Sequence, residues 1–276
     1  MKREKAIHTI LVIIVLLFSV VFLLPLVFSV TNSFKDYNDI IGDFFAMPIK
    51  IDFSIYAETW EELDLGQKFA NTLLYTLSVT AVCAIVTPMA AYKLGRVRNK
   101  MSSVLMILFV IPIMLPFMIY CVPLSALMGK VGLTNTKLGY IIASIGLSIP
   151  FDVYVLQSFV QTVPVEIEEC ARVDGATPMR VFFSVVYPLM RPAIATVSII
   201  TAMNTWCDLI VCKILASSSE SLQNVQLKLF TRFSSNSSDW THAFPAIVIS
   251  MIPSIAFFLI MQKQVINGVA SGAVKG

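Results

Sequence analysis

The chain has 276 residues, of which 57% are hydrophobic and only 13% charged. A soluble globular domain carries about 25% charged residues, so this chain cannot cover itself with a hydrated surface, and its composition fits a bilayer. Its net charge of +3 and the lack of a basic stripe alternating with aromatics give no footprint for nucleic acid.

A membrane-spanning helix needs about 20 apolar residues. Six stretches qualify, and spans are expected at about 8–30, 69–92, 102–128, 138–161, 190–215 and 243–262. The first is too long for an ordinary removable signal peptide and lacks a small-residue cleavage site, so it is expected to be retained as a helix. The third is interrupted by Pro112, Pro116 and Pro123, each of which removes a backbone donor. Such bends suit a moving helix, and they are also common as plain packing features. On the fourth, Gly139, Ala143 and Gly146 lie on or near one face and favour close helix contact. The fifth is the weakest, broken by Asp208 and Lys213.

Lys and Arg set the orientation. The chain begins MKREK, and Lys93, Arg96, Arg98 and Lys100 follow the second span. Both segments belong in the cytoplasm. Residues 31–68 hold eight acids against three Lys and suit the outside. Alternation places residues 163–191 and both termini in the cytoplasm, with twelve of the twenty Lys and Arg on that side.

Several chemistries are excluded. The five cysteines form no CxxC pair, so a disulfide framework or zinc site is not expected, and they read as small packing residues. His8 and His242 are far apart, and no HExxH occurs. No GxxxxGK[ST] occurs either, so the chain does not bind ATP by a phosphate loop.

The informative segment is 163–192, VPVEIEECARVDGATPMRVFFSVVYPLMRP, polar and charged inside an apolar chain. Val163-Pro164 starts a helix, since Pro tolerates the first position. Glu166, Glu168 and Glu169 meet the positive helix end. Glu168 and Arg172 are expected to pair on the exposed side. Asp174-Gly175 reads as a stop with Gly left-handed, and Thr177-Pro178 as a new cap and start. Met179, Phe182, Phe183 and Val186 are expected to anchor the second helix on the membrane helices. Pro188 and Pro192 then lead into the fifth span. The first helix is too short to be stable alone, so it must dock. Ile167, Cys170, Ala171 and Asp174 share one face, and Ala171, Gly175 and Ala176 are small enough for close approach.

Glu169-Cys170-Ala171, then Gly175, Phe182 and Tyr187-Pro188, resembles the EAA motif of bacterial ABC importer permeases: Glu-Ala-Ala, three residues, Gly, a spaced Phe and Leu-Pro. Cys170 and Tyr187 depart from that pattern. Asp174-Gly175-Ala176 looks like the carbohydrate-importer branch. So do Asn71-Thr72 opening the second span, Ala91-Tyr92 closing it, and Asn204-Thr205-Trp206-Cys207-Asp208, where Cys207 departs. The GAVKG ending is similar to the second permease of maltose-type systems.

The resemblance implies an all-α polytopic membrane protein of the type I ABC importer permease fold, one transmembrane domain over 1–276 with a cytoplasmic coupling segment at 163–188. It implies a non-enzymatic subunit that moves a sugar or oligosaccharide inward in a bacterial cell membrane. ATP and Mg are held by two partner ATPase subunits, with no cofactor on this chain. A second, different permease and an extracytoplasmic binding protein complete the assembly. The implied ATPase contacts are Glu169, Ala171, Asp174, Gly175 and Ala176, and the tail, including Gly272 and Lys275, is expected to reach between the ATPases.

The cargo pathway is less legible. Asp152 should face a protein interior, a cavity or, being close to Pro150, the outer interface. Asn204, Trp206 and Asp208 bring hydroxyl-binding groups and a stacking ring together; the same groups also serve interhelical hydrogen bonds and an interfacial Trp. The Ser/Asn-rich loop 216–241 resembles the loop that reaches into a binding protein, and also reads as a solvated connector. The glycosylation pattern Asn236-Ser237-Ser238 is taken as chance. A permease for another polar solute such as glycerol phosphate, and an ion-driven secondary transporter, are the alternative readings.

Overall fold

The computed structural model describes residues 2–97, 99–235 and 239–273, and side chains within 7–262. Among the described residues every regular element is helical. Five helices are long and apolar enough to cross a membrane, and a bent pair supplies a sixth candidate.

The chain forms two compact units. The first comprises Met1–Gly66 and Leu229–Pro253. In it, α1 (Lys2–Asn32) is apolar all round and carries large side chains exposed along its length, as a lipid-facing helix should. Two short helices follow, α2 (Tyr37–Gly42) and α3 (Ser54–Glu62). Lys35 is buried at the exit of α1, where its ammonium donates to Asn32 Oδ1 at 3.1 Å and to the Asp43 and Phe44 carbonyls at 3.1 and 3.3 Å. Arg232 pairs with Glu62 and, at 2.9 Å, with Asp239. His242 meets the same Asp239 at 2.8 Å.

The second unit comprises Gln67–Lys228 and Ser254–Gly276. Most of α4 (Leu65–Arg96) lies in it. The expected third span is instead α5 (Lys100–Met114) and α6 (Phe117–Lys130), bent by 108°. The cause is local. Leu115 precedes a proline and is extended at φ −87°, ψ 134°, because Pro116 Cδ disfavours the helical well there. Pro116 then serves as the cap of α6, where its missing N–H costs nothing. The proline interruption expected within 102–128 thus takes the form of a break at Pro116 between two helices.

Thr136 caps α7 (Lys137–Val160), accepting from Gly139 N–H at 2.9 Å. Gly139 is buried and tightly placed and Ala143 is buried, whereas a Cβ on Gly146 would meet nothing within 4 Å. After α8 (Val165–Val173), the helix α9 (Pro178–Val181) runs through a π turn (Phe182–Val186) into α10 (Tyr187–Trp206). One apolar helix thus spans Pro178–Trp206, starting about a dozen residues before the expected fifth span. The π turn explains why Pro188 does not break it. A proline clashes with the carbonyl four residues back, here Ser184, and the wider turn, with Tyr187 N–H bonded to Phe182 O, relieves that clash. The helix stops at Asp208, whose carboxylate accepts from Val211 and Cys212 N–H at 3.1 and 3.0 Å and starts α11 (Ile210–Ala216). The expected end at 215 therefore falls in a separate short helix.

The loop after α11 is built rather than merely solvated. Asn71 donates to the Ser221 and Gln223 carbonyls at 2.8 and 3.0 Å, and Tyr75 donates to Leu222 O at 2.8 Å. Thr72 Oγ1 accepts from Val225 N–H at 3.1 Å, where α12 (Val225–Ser235) begins. Asn236-Ser237-Ser238 falls outside the described residues. The last helix, α13 (Trp240–Ala273), continues past the expected end at 262. Gly272 is thus on helical backbone, and Lys275 lies outside the described residues.

Candidate coupling site and membrane cavity

The segment between α7 and α10 folds as its caps predict. α8 ends in a Schellman motif: Ala176 N–H donates to Ala171 O and Gly175 N–H to Arg172 O, each at 3.0 Å. This requires a left-handed residue, and Gly175 has φ +82°. Thr177 Oγ1 then accepts from Arg180 N–H at 3.4 Å, with Pro178 at the first position of α9.

The main departure concerns Glu168. Its expected place was the exposed side, yet it is 1% exposed. Arg96, in the last turn of α4, donates from Nε to Glu168 Oε1 at 2.7 Å and from Nη2 to Val163 O at 2.7 Å. Tyr92, one turn earlier on α4, donates to Glu168 Oε2 at 2.7 Å. Arg172 completes the set at 3.5 Å. A buried carboxylate is tolerable only when paired and hydrogen-bonded, and this one is satisfied on both oxygens. The approach depends on Gly95, where a Cβ would stand 2.9 Å from Val160 Cγ1, so α4 and α7 touch directly beside the site.

The rest of the segment divides between two faces. Val181, Phe182 and Val186 are buried in a core with Ala91, Val153, Leu156 and Val160. Met179 and Phe183, expected to anchor there, are exposed: four residues apart, they share a helix face that points away from the one carrying Phe182 and Val186. Ala171 and Ala176 are partly buried against this core. Glu169, Asp174 and Gly175 are exposed, as are Ile167, Cys170 and Val173. A short helix is therefore clamped along one side and presents apolar and acidic groups on the other. Sequence reasoning missed Arg96, Tyr92 and Glu168 as one cluster. The available signal was that Arg96 and Glu168 had been assigned to the same membrane side.

A second site lies within the bundle. Asp152, on α7, is 1% exposed and accepts from Thr201 Oγ1 on α10 at 3.0 and 3.2 Å. It faces the protein interior. A cavity of about 200 Å³ is lined by Tyr140, Ser144, Ser148, Asp152, Asn204 and Asp208, among others. Tyr140 donates to Asp208 Oδ2 at 3.0 Å, so one side chain bonds the pocket carboxylate that also caps α11. Three of the four expected pathway residues thus meet in one cavity. Trp206 is not among its lining residues and packs its ring 6.0 Å from that of Phe69.

Comparison with known proteins agrees with this architecture. Residues 82–271 match the family described as binding-protein-dependent transport system inner membrane component. The chain is 30% identical over 254 residues to the melibiose/raffinose/stachyose import permease protein of Bacillus subtilis, covering 92% of this chain and 91% of that one. It is 28% identical over 279 residues to the multiple sugar-binding transport system permease protein of Streptococcus mutans, covering 100% of both. Its fold is similar to a chain in the crystal structure of a bacterial ABC transporter involved in the import of the acidic polysaccharide alginate, with TM-score 0.79, 22% identity, and 95% and 98% of the two chains covered. Several apolar helices, an exposed and clamped loop helix and a match over more than half the chain converge: the protein is a multi-pass membrane permease and belongs to the inner membrane component family of binding-protein-dependent transport systems.

Proposed function

We propose that this chain is one of two different permease subunits of an ABC importer that carries a sugar or oligosaccharide into the cytoplasm. Two partner ATPase subunits hold ATP and Mg, and an extracytoplasmic binding protein delivers the cargo. The observation that carries the reading is the clamped helix α8. Its Arg96–Glu168 tie makes it move with α4, while Glu169, Asp174 and Gly175 stay open to a partner. A force applied to that open face reaches the membrane bundle without first bending the loop. ATP binding would draw the two coupling helices together and rock the bundle to face outward, and hydrolysis would reset it. Ala171 and Ala176 set the close packing behind the contact face.

The basic segments support a cytoplasmic position for both termini and α8. The tail bearing Gly272 and Lys275 would enter the gap between the ATPases. The whole chain acts as one permease domain in the cell membrane.

Carbohydrate is favoured as cargo by the names of the relatives and by the cavity chemistry. Its hydroxyls, amide and carboxylates bond sugar hydroxyls, and Phe151 offers a ring face. Among the described lining residues there are two carboxylates and no cation, which disfavours a phosphate ester such as glycerol phosphate. An ion-driven cycle would leave the open face of α8 without a role.

The test is uptake by the complete complex, purified with its partners and sealed in proteoliposomes. Melibiose or a related oligosaccharide should enter only with ATP inside and the loaded binding protein outside. Uptake that follows a proton or sodium gradient without ATP would reject the proposal, and ATP-driven entry of glycerol phosphate alone would reject its cargo.

A further inference from the structure

The loop between α2 and α3 carries a feature that lies outside both the cavity and the α8 cluster. Phe45, Met47, Ile49, Ile51 and Phe53 alternate along it, and all are between 65% and 94% exposed. Five large apolar side chains exposed within nine residues mark contact with a partner or a membrane. The loop lies outside the part of the chain that matches the family, 82–271, so its use must be read from this chain itself.

Ring contacts hold the start of the loop against two helices. Phe28 on α1 meets Phe44 at 5.7 Å and Phe45 at 5.1 Å between centroids. Phe28 stands four residues before the end of α1 at Asn32, which is about 6 Å along a helix. Phe44 also meets Phe244 at 5.9 Å, and Phe244 stands four residues inside the start of α13 at Trp240. Two different helices thus place the loop about one turn inside their ends. Phe34, just past α1, packs on Phe53 at 5.3 Å and holds the other end of the strip.

We propose that residues 45–53 are an interfacial anchor lying in the headgroup region of the bilayer, at the end of α1 opposite its basic terminus. Three observations favour lipid as the occupant. The apolar strip is continuous, through Phe28, with the exposed apolar surface of α1. Its interspersed charges, Lys50 and Asp52, pair with each other at 2.8 Å and leave no net charge. Its backbone forms no helix or strand, so its polar groups need water and cannot enter the hydrocarbon. Aromatic and aliphatic side chains at the headgroup level with a hydrated backbone are the usual form of an interfacial anchor.

The experiment replaces Ile49, and in a parallel variant Met47, with photoreactive p-benzoylphenylalanine in the complete complex in native-lipid nanodiscs. A control probe replaces the exposed Glu58 on α3. Adducts are identified by mass spectrometry with and without the loaded binding protein. The expected result is phospholipid adducts at 47 and 49, several-fold above the control and unchanged by the binding protein. Adducts chiefly to the binding protein or to the second permease would overturn the proposal in favour of a protein contact. Photolysis with no adduct above the control would overturn it in favour of a solvated loop. Uptake is not the readout, so this result stands or falls apart from the cargo assignment.

Discussion

Arg96 and Glu168 are 72 positions apart in sequence and 2.7 Å apart in space, joining the last turn of a membrane helix to the middle of a surface helix. α8 has nine residues, too few to be stable alone. The ion pair, with Tyr92 as second donor, supplies the tertiary contact that keeps it folded and oriented. Arg96→Met would leave a buried carboxylate without its main partner and should destabilise the segment by about 3 kcal/mol. Glu168→Gln keeps a polar group for Tyr92 and should cost less, about 1–2 kcal/mol. A double-mutant cycle on the thermal midpoint of the purified complex checks this, and additive losses would show that the two residues do not interact.

The helix corner gives a second prediction. Gly175 sits at φ +82°, and a Cβ there would meet nothing within 4 Å. Conformation, not crowding within the chain, is what restricts it. Asn tolerates this region and a β-branched residue does not. Gly175→Asn should keep the larger part of binding-protein-stimulated ATP hydrolysis, and Gly175→Val should lose it by about tenfold if the strain is near 1.4 kcal/mol. Equal loss in both variants would mean that the partner, rather than the backbone, excludes the side chain.

Much of this segment was legible in the sequence because capping is local chemistry: Thr177-Pro178 and Gly175 act within a few residues. The spans were legible as apolar runs, apart from those whose limits depend on tertiary detail. Pro188 read as a boundary, yet a π turn absorbs it. Pro116, one of three prolines in its stretch, is where the helix breaks. Asp208 read as a charge within a span, whereas it ends one helix and caps the next. The site at Glu168 was hidden because its partner is two spans away along the chain, and one sequence does not report such pairing.

Gly95 is the close-contact residue behind the clamp. Gly95→Val would drive a side chain into Val160, 2.9 Å from the new Cβ, at a cost of about 1–3 kcal/mol. The smaller change Gly95→Ala combined with Val160→Ala should recover a substantial part of the loss, read as midpoint temperature. Failure of that pair to recover anything would place the role of Gly95 elsewhere.

The cavity carboxylates should separate. Asp208→Ala removes the acceptor of two backbone donors and Tyr140, so stability should fall by about 1–2 kcal/mol. Asp152→Asn keeps a partner for Thr201 and should leave the midpoint within a few degrees while raising the KM for sugar uptake. Unchanged uptake by a well-folded Asp152→Asn would remove that residue from the pathway.

Cys170 allows the central claim to be tested in the native chain, because it is exposed on α8 beside Glu169. The complete complex is treated with a maleimide–benzophenone reagent, irradiated, and the adducts separated, with Cys170→Ser as the reference. The account predicts a crosslink from Cys170 to an ATPase subunit that disappears in the reference and changes in yield when ATP is bound. Labelled Cys170 that never captures the ATPase, or that captures the extracytoplasmic binding protein, would contradict it.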